Sequence, residues 1–156
     1  ELVYKHLGQK PVTAIVITHS HADHYGGIAG IVSADDVKAG KVRIVAPAGF
    51  TKAALSENVL AYPAGRRRAF YQFGFMLPPG PKGHVDDRVG KRIGGLNTSF
   101  LPPTDEVTET GQRMTIDGVE FVFQMSPETE APVEMEFYLP PIQNALCSRD
   151  CQPDSP

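Results

Sequence analysis

Three histidines and one aspartate stand within six positions of the segment THSHADHYGG, residues 18–27. The whole chain of 156 residues contains only five histidines, so this density is unusual. Neutral imidazole nitrogens and carboxylate oxygens are ligands that zinc accepts at about 2 Å. The spacing His-x-His-x-Asp-His therefore predicts a site for a divalent transition metal, formed by His19, His21, Asp23 and His24.

The spacing also predicts that the four ligands form two pairs. In a loop that leaves a strand, His19 and His21 are two residues apart and can point the same way, toward one ion. Asp23 and His24 then turn toward a second ion close by. Two ions about 3.5–4 Å apart can share a water molecule and lower its pKa toward neutrality. A single histidine is usually a surface or core residue, but four ligand types in this spacing are typical of a metal site.

The elements around the cluster predict a mixed α/β domain. Residues 12–17, VTAIVI, form a β-branched apolar run typical of a strand buried on both faces, and the histidines follow at its carboxyl end. Residues 41–47, KVRIVAP, predict a second strand. The alternation on both sides of Asp117-Gly118 predicts a two-residue β-hairpin. Helices are expected over residues 24–32, 49–60 (with Thr51 as the N-cap) and 66–74.

Composition excludes several classes of partner. A hydrophobic content of 41% and a charged content of 21% are those of a soluble globular protein. The net charge of −3 gives no indication of a nucleic-acid partner. No apolar run approaches the roughly 20 residues of a spanning helix, and no signal peptide is visible. Cys147 and Cys151 are interpreted as two incidental thiols.

The motif after a buried strand resembles that of the metallo-β-lactamase superfamily, which includes lactamases, glyoxalase II enzymes and many other hydrolases. Neighbouring phrases narrow the resemblance to the zinc-dependent alkyl sulfatases: RRAFYQFG, LPPGPKGHVD, LPPTDEVTETG and TEAPVEMEFYLP. This resemblance implies an αββα sandwich, of which the chain contains only part. Residues 1–147 are then a partial catalytic domain, and residues 148–156 a polar tail that we expect to be disordered.

The resemblance further implies hydrolysis of alkyl sulfate esters to alcohol and sulfate at two zinc ions. His19 and His21 match the ligands of one zinc, and Asp23 and His24 match those of the other. Glu130, in TEAPVE, matches the glutamate ligand of the first zinc.

Two neighbouring glutamates, Glu134 and Glu136, could be mistaken for that ligand, but they stand on a predicted strand and are interpreted as structural. The chain departs from the family pattern after LC, where the family has a glutamate that bridges both zincs. Here Asp150 is the nearest carboxylate, and its shorter side chain leaves open whether it replaces that glutamate. The family's final zinc histidine and its dimerisation region are not found in this sequence, so a homodimer is expected only of a longer parent.

Three other groups of residues have structural interpretations. Arg66, Arg67 and Arg68 could bind a sulfate group, but a solvated helix face is the favoured interpretation. The aromatic residues that follow are predicted to pack in the core, with an apolar channel for an alkyl tail as the alternative: Phe70, Tyr71, Phe73 and Phe75. His84 lies in a Gly/Pro loop and has no assigned role.

Two alternatives to alkyl sulfate hydrolysis stay open from the sequence. One is another hydrolase of the same superfamily, acting on thioesters or lactams. The other is a non-catalytic, truncated fragment that binds zinc or no metal, and weak or no activity is expected of this chain alone. The sequence leaves open the length of the alkyl chain, the preference between primary and secondary esters, and the native compartment.

Overall fold

The computed structural model describes residues 2–86, 98–140 and 144–146. The α-helices are α1 (Leu2–Leu7), α2 (Ala22–Tyr25), α3 (Ala34–Lys38), α4 (Phe50–Leu55) and α5 (Tyr62–Phe73). A 3-10 turn covers Ile28–Gly30, and a π-helical segment, Ser56–Leu60, directly follows α4. The strands are β1 (Ala14–Val16), β2 (Arg43–Pro47), β3 (Asp105–Val107), β4 (Arg113–Ile116), β5 (Val119–Met125), β6 (Met135–Leu139) and β7 (Asn144–Leu146).

The first sheet is parallel and has the order β1-β2-β3. Ile15 of β1 pairs with Ile44 of β2, and Val45 pairs with Asp105 of β3. The predicted strands over 12–17 and 41–47 are therefore confirmed, with shorter bounds. The burial on both faces expected for residues 12–17 is not found in β1, whose three residues are all half-buried, whereas residues 44–47 of β2 are buried. Among the described strands β1 lies at the edge of its sheet, which explains its partial exposure.

The second sheet is antiparallel and has the order β4-β5-β6-β7. The predicted hairpin is confirmed, because β4 and β5 pair around a two-residue turn at Asp117 and Gly118. Their φ angles are 50° and 79°. A tight turn of the type that fits the twist of a hairpin requires positive φ at both central residues, which aspartate tolerates and glycine adopts freely.

The core has two parts that lie on opposite faces of the parallel sheet. Ile44 and Ala46 pack against the helical segments, where Phe50 is also fully buried. Val45, one residue away from each, packs against the second sheet together with Phe123 and other apolar residues. Because successive side chains of a strand point to opposite faces, this alternation places β2 between a helical layer and the second sheet. The mixed α/β layering agrees with part of the expected sandwich.

Two of the predicted helices differ from the structure, one by a break and the other at its N-cap. The helix expected over 24–32 is divided into α2 and the 3-10 turn. The break lies at Gly26, where a Cβ atom would stand 2.5 Å from the carbonyl oxygen of Ala22. The helix expected over 49–60 is present, but Thr51 is not its N-cap: the cap is Gly49, which has a φ of 83°. Glycine adopts this left-handed conformation without a steric penalty.

The interpretation of the aromatic residues around α5 as core is wrong. Helix α5 begins four residues before the expected start at Arg66 and contains no buried residue. Tyr71 is 92% exposed, and the three phenylalanines are only half-buried. Phe70 and Tyr71 line a surface pocket of about 620 Å³ together with Arg67, Gly74, Met76 and Leu77. The three arginines are exposed, as expected for a solvated helix face, and Arg66 donates a hydrogen bond to the hydroxyl of Tyr62 at 2.9 Å.

Several sequence predictions fall outside the described residues. These are the polar tail over 148–156, the two cysteines and the carboxylate of Asp150. Within the three described ranges, no helix combines the length and the apolar character that crossing a membrane requires.

An ion pair between β2 and β3 gives a testable prediction about the parallel sheet. Arg43 donates two hydrogen bonds to Asp105, at 3.1 Å from Nε and 2.7 Å from Nη2. The hydrogen bonds from Arg43 lower the pKa of Asp105, so the pair's contribution to stability is present above the ordinary aspartate range and is lost as pH falls. Because both side chains are partly exposed, Asp105→Asn should reduce the free energy of unfolding by about 1 kcal/mol at pH 7.

Urea denaturation at pH 7 and again near pH 2 tests this expectation. The difference in the free energy of unfolding between Asp105→Asn and the wild type should disappear at the lower pH. Glu106→Gln is the matched control, since Glu106 is exposed on the same strand. An equal loss of stability in the two variants at pH 7, or a loss for Asp105→Asn that persists in acid, would contradict the prediction.

Candidate metal centre

The histidine cluster begins where β1 ends, between the two sheets. The Ile17 amide donates to the carbonyl of Val45 at 2.8 Å, which continues the contact of β1 with β2. On the other side, the Met135 amide donates to the carbonyl of Thr18 at 2.9 Å, and His19 forms an isolated antiparallel bridge with Glu134. The backbone of this segment is therefore held by both sheets. Helix α2 starts three residues after His19 and carries Asp23 and His24, and His21 is its N-cap residue.

Three ligand candidates come together in this region. His19, His24 and Glu130 each offer one ligand atom, and these atoms lie within 4.8 Å of one another. The imidazole centroid of His19 is 4.1 Å from that of His24 and 4.9 Å from that of His21. Atoms that bind one zinc at about 2 Å stand about 3–4 Å apart, so a small contraction would bring the three to ligand distances.

Two buried polar atoms of the cluster have no hydrogen-bond partner among the described residues: His19 Nε2 and Glu130 Oε2. The other nitrogen of His19, Nδ1, lies 3.0 Å from the hydroxyl oxygen of Thr18. A buried polar atom without a partner costs about 1–3 kcal/mol, so such atoms in a native protein need an explanation. A cation between the imidazole and the carboxylate would satisfy both atoms, and the donor set therefore fits a metal ion.

The surroundings of His19 favour the neutral form of its imidazole, which is the form that can bind a metal. Burial lowers the pKa of His19, and the neighbouring imidazoles of His24 and His21 lower it further. Glu130 and Glu134 act in the opposite direction but do not outweigh these effects. A lowered pKa keeps the imidazole neutral, and only the neutral imidazole can donate a lone pair to a metal.

The other two predicted ligands border this group. His21 Nδ1 lies 3.7 Å from Glu130 Oε1, and Asp23 Oδ2 lies 3.5 Å from His24 Nε2. The side chain of Asp23 is 65% exposed, and it lines a small pocket of about 240 Å³ together with His24. All five predicted site residues thus lie in one connected region. Their division between two ions stays a prediction, because the ring of His24 lies closer to that of His19 than the ring of His21 does.

Glu130 comes from the loop between β5 and β6, and Glu134 holds that loop in place. Glu134 is fully buried, and its Oε2 accepts hydrogen bonds from Thr129 Oγ1 at 2.7 Å, the Glu130 amide at 2.9 Å and the Ala131 amide at 3.2 Å. These contacts agree with the structural role expected for Glu134. Glu136 lies on β6 opposite Gln124, on the strand as expected.

Sequence reasoning misses Glu57, which also borders the site. Its Oε1 lies 4.0 Å from His21 Nε2, and its Oε2 accepts a hydrogen bond from Ser20 at 2.5 Å. Glu57 is 36 residues beyond His21 and belongs to no ligand motif, so its only sequence signal is that a helix carrying it follows the second strand.

Comparisons with known proteins indicate the family of the chain. Residues 1–123 match the family described as the metallo-beta-lactamase superfamily, a range that includes the histidine cluster but not Glu130. The chain is 49% identical over 140 residues to an alkyl/aryl-sulfatase of Saccharomyces cerevisiae and 48% identical over 139 residues to a linear primary-alkylsulfatase of Pseudomonas sp.. These alignments cover 90% and 89% of this chain, but only 22% and 21% of the relatives.

The chain is also similar in structure to a solved alkylsulfatase. The stereoselective inverting sec-alkylsulfatase of Pseudomonas sp. aligns with a TM-score of 0.81 and 42% identity, over 90% of this chain and 22% of that protein. The described fold therefore corresponds to part of the alkylsulfatase structure. The chain spans about a fifth of the length of these relatives.

Proposed function

Because the chain belongs to the metallo-beta-lactamase superfamily, we propose that it is the metal-binding part of a zinc-dependent hydrolase of alkyl sulfate esters, which releases alcohol and sulfate. The similarity to an alkyl/aryl-sulfatase and to a linear primary-alkylsulfatase supports this substrate class. The observation that carries the metal-dependent part of the proposal is the pair of buried atoms His19 Nε2 and Glu130 Oε2, which have no hydrogen-bond partner within the described ranges.

In this proposal His19, His21 and Glu130 hold one zinc ion, and Asp23 and His24 contribute to a second. Bound zinc supplies Lewis-acid stabilisation of the negative charge that develops on the ester oxygens. Zinc suits the donor set because imidazole nitrogen and carboxylate oxygen are both among its preferred ligands.

The residues of the chain orient these donors and give the site one closed and one open side. On the closed side, Thr18 contacts Nδ1 of the buried His19, so Nε2 is the nitrogen left for the ion. The loop held by Glu134 supplies the negative charge of Glu130. On the open side, His21 and Asp23 have side chains that are 34% and 65% exposed, which leaves a path for a substrate.

Zinc-dependent release of sulfate from octyl sulfate tests the proposal. We expect the zinc-loaded chain to release sulfate weakly, to lose this activity with a chelator, and to hydrolyse a thioester and a lactam more slowly. Faster hydrolysis of the thioester or the lactam would favour another hydrolase of the superfamily. Bound zinc without turnover of any of the three would favour the non-catalytic fragment. The homodimer of a longer parent stays a separate prediction, which light scattering would check.

A further inference from the structure

The π-helical segment that follows helix α4 contacts the histidine loop, residues 17–21, through two of its side chains. Its residues Ser56–Leu60 follow α4 without a break, and π-helical turns are rare and occur often at functional sites. Asn58 Nδ2 donates hydrogen bonds to the carbonyl of Ser20 at 3.0 Å and to that of Ala54 at 2.9 Å. The amide of Asn58 thus connects the segment to the residue between His19 and His21.

Glu57 reaches the same loop through its carboxylate. Oε2 accepts the hydrogen bond from the hydroxyl of Ser20, which is fully buried, at 2.5 Å. The amide of Asn58 holds the carbonyl of the same Ser20, and the hydroxyl of Ser20 fixes one carboxylate oxygen of Glu57. Its second oxygen, Oε1, is then directed at His21 Nε2, at a distance of 4.0 Å.

His21 consequently lies between two carboxylates, one facing each ring nitrogen. Nε2 faces Glu57, whereas Nδ1 lies 3.7 Å from Glu130 Oε1, on the side of the cluster where the unpartnered atoms lie. A histidine that binds a metal through one nitrogen usually donates the N–H of the other to a carboxylate or a carbonyl. That second contact fixes the tautomer and the orientation of the ring.

We propose that Glu57 is a positioning residue for His21. Its Oε1 accepts the Nε2–H hydrogen bond, which leaves Nδ1 unprotonated and directed at the ion shared with Glu130. The present separation exceeds an N–H···O hydrogen bond by about 1 Å, a gap that a small rotation of the half-exposed imidazole closes. The inference rests on the proposed function in taking this ion to be zinc.

Two measurements on the 156-residue chain test the role of Glu57. The variants are Glu57→Ala, which removes the acceptor, and Glu57→Gln, which keeps an acceptor oxygen without its charge. The control is Glu109→Gln, since Glu109 is exposed and lies between β3 and β4. Nitrogen NMR of the imidazoles in metal-free protein at pH 8 should show the Nε2–H tautomer of His21 in the wild type, and a mixture in Glu57→Ala.

Competition with a chromophoric chelator gives the affinity for zinc. We expect affinity to fall about 10–100-fold in Glu57→Ala, less in Glu57→Gln, and not at all in the control. Ser20→Ala should lower the affinity for zinc too, but by less than Glu57→Ala, because it releases Glu57 without removing the carboxylate. If Glu57→Ala does not fold, as judged by circular dichroism, Glu57→Gln and Ser20→Ala carry the same comparison.

The outcomes separate this inference from the proposed function. If wild-type protein does not retain zinc but the tautomer still depends on Glu57, the zinc hydrolase is refuted and the positioning contact stands. If wild-type protein binds zinc and Glu57→Ala binds it as tightly as the control, Glu57 is not a positioning residue for the metal. An unchanged tautomer in Glu57→Ala would overturn the inference in either case.

Discussion

Replacing His19 with alanine is expected to weaken zinc binding on the order of 100-fold or more. A structural zinc site with four protein ligands has an apparent binding free energy of about 10–16 kcal/mol, so the loss of one ligand should cost about 3 kcal/mol. His19 should show this loss most clearly, because it is fully buried and water cannot easily replace its imidazole. Zinc content after gel filtration and competition with a chromophoric chelator would measure the change.

The matched control for this experiment is His84→Ala. His84 is also a buried histidine, but it lies in the Gly/Pro loop after α5, where it contacts the ring of Phe75. A general effect of removing a buried imidazole would appear in both variants, whereas loss of a ligand would appear only in His19→Ala. If His19→Ala retained zinc with the affinity of the wild type, zinc would be bound elsewhere and the proposed centre would be wrong.

The parts of the site that depend on short stretches of sequence could be predicted. His19 follows a β-branched run, and a strand that leads into a ligand-rich loop needs only adjacent residues to specify it. The hairpin at Asp117-Gly118 is similar, because the turn itself requires positive φ at both positions. Glu130 was identified by resemblance of the surrounding phrase to a family, and the structure places it within 4.8 Å of His19 and His24 through their ligand atoms.

The parts that depend on contacts between distant segments could not be predicted. Glu57 meets Ser20 across 37 positions of the chain, and no periodicity relates the two. The aromatic residues near Tyr71 were misassigned because hydrophobic composition is typical of a core, whereas burial is decided by what packs against the helix. At Gly26 a Cβ atom would stand 2.8 Å from the side chain of Thr98, which is again a contact with a distant segment.

Glu134 illustrates the same limit and gives the second large prediction. Its place on a predicted strand indicates a structural residue, and the structure has it one residue before β6. The sequence does not reveal that one carboxylate oxygen accepts hydrogen bonds from the three consecutive residues Thr129, Glu130 and Ala131. Glu134→Ala would leave these donors without their acceptor in a buried place. Hydrogen bonds to charged groups contribute about 1.5–3 kcal/mol each, and water can replace some of them. We therefore expect the free energy of unfolding to fall by about 3 kcal/mol or more.

The substitution should also weaken zinc binding, because the same hydrogen bonds fix the backbone at Glu130. Urea denaturation measures the stability of the metal-free chain, and chelator competition then measures the affinity for zinc. Glu134→Gln keeps the volume and one acceptor oxygen, so it should lose less stability and less affinity for zinc than Glu134→Ala. Glu136→Ala is the control, because Glu136 lies two residues further on, in β6, and its side chain is only half-buried. If Glu134→Ala were no less stable than Glu136→Ala, or bound zinc as tightly, the loop that carries Glu130 would be held by contacts other than this carboxylate.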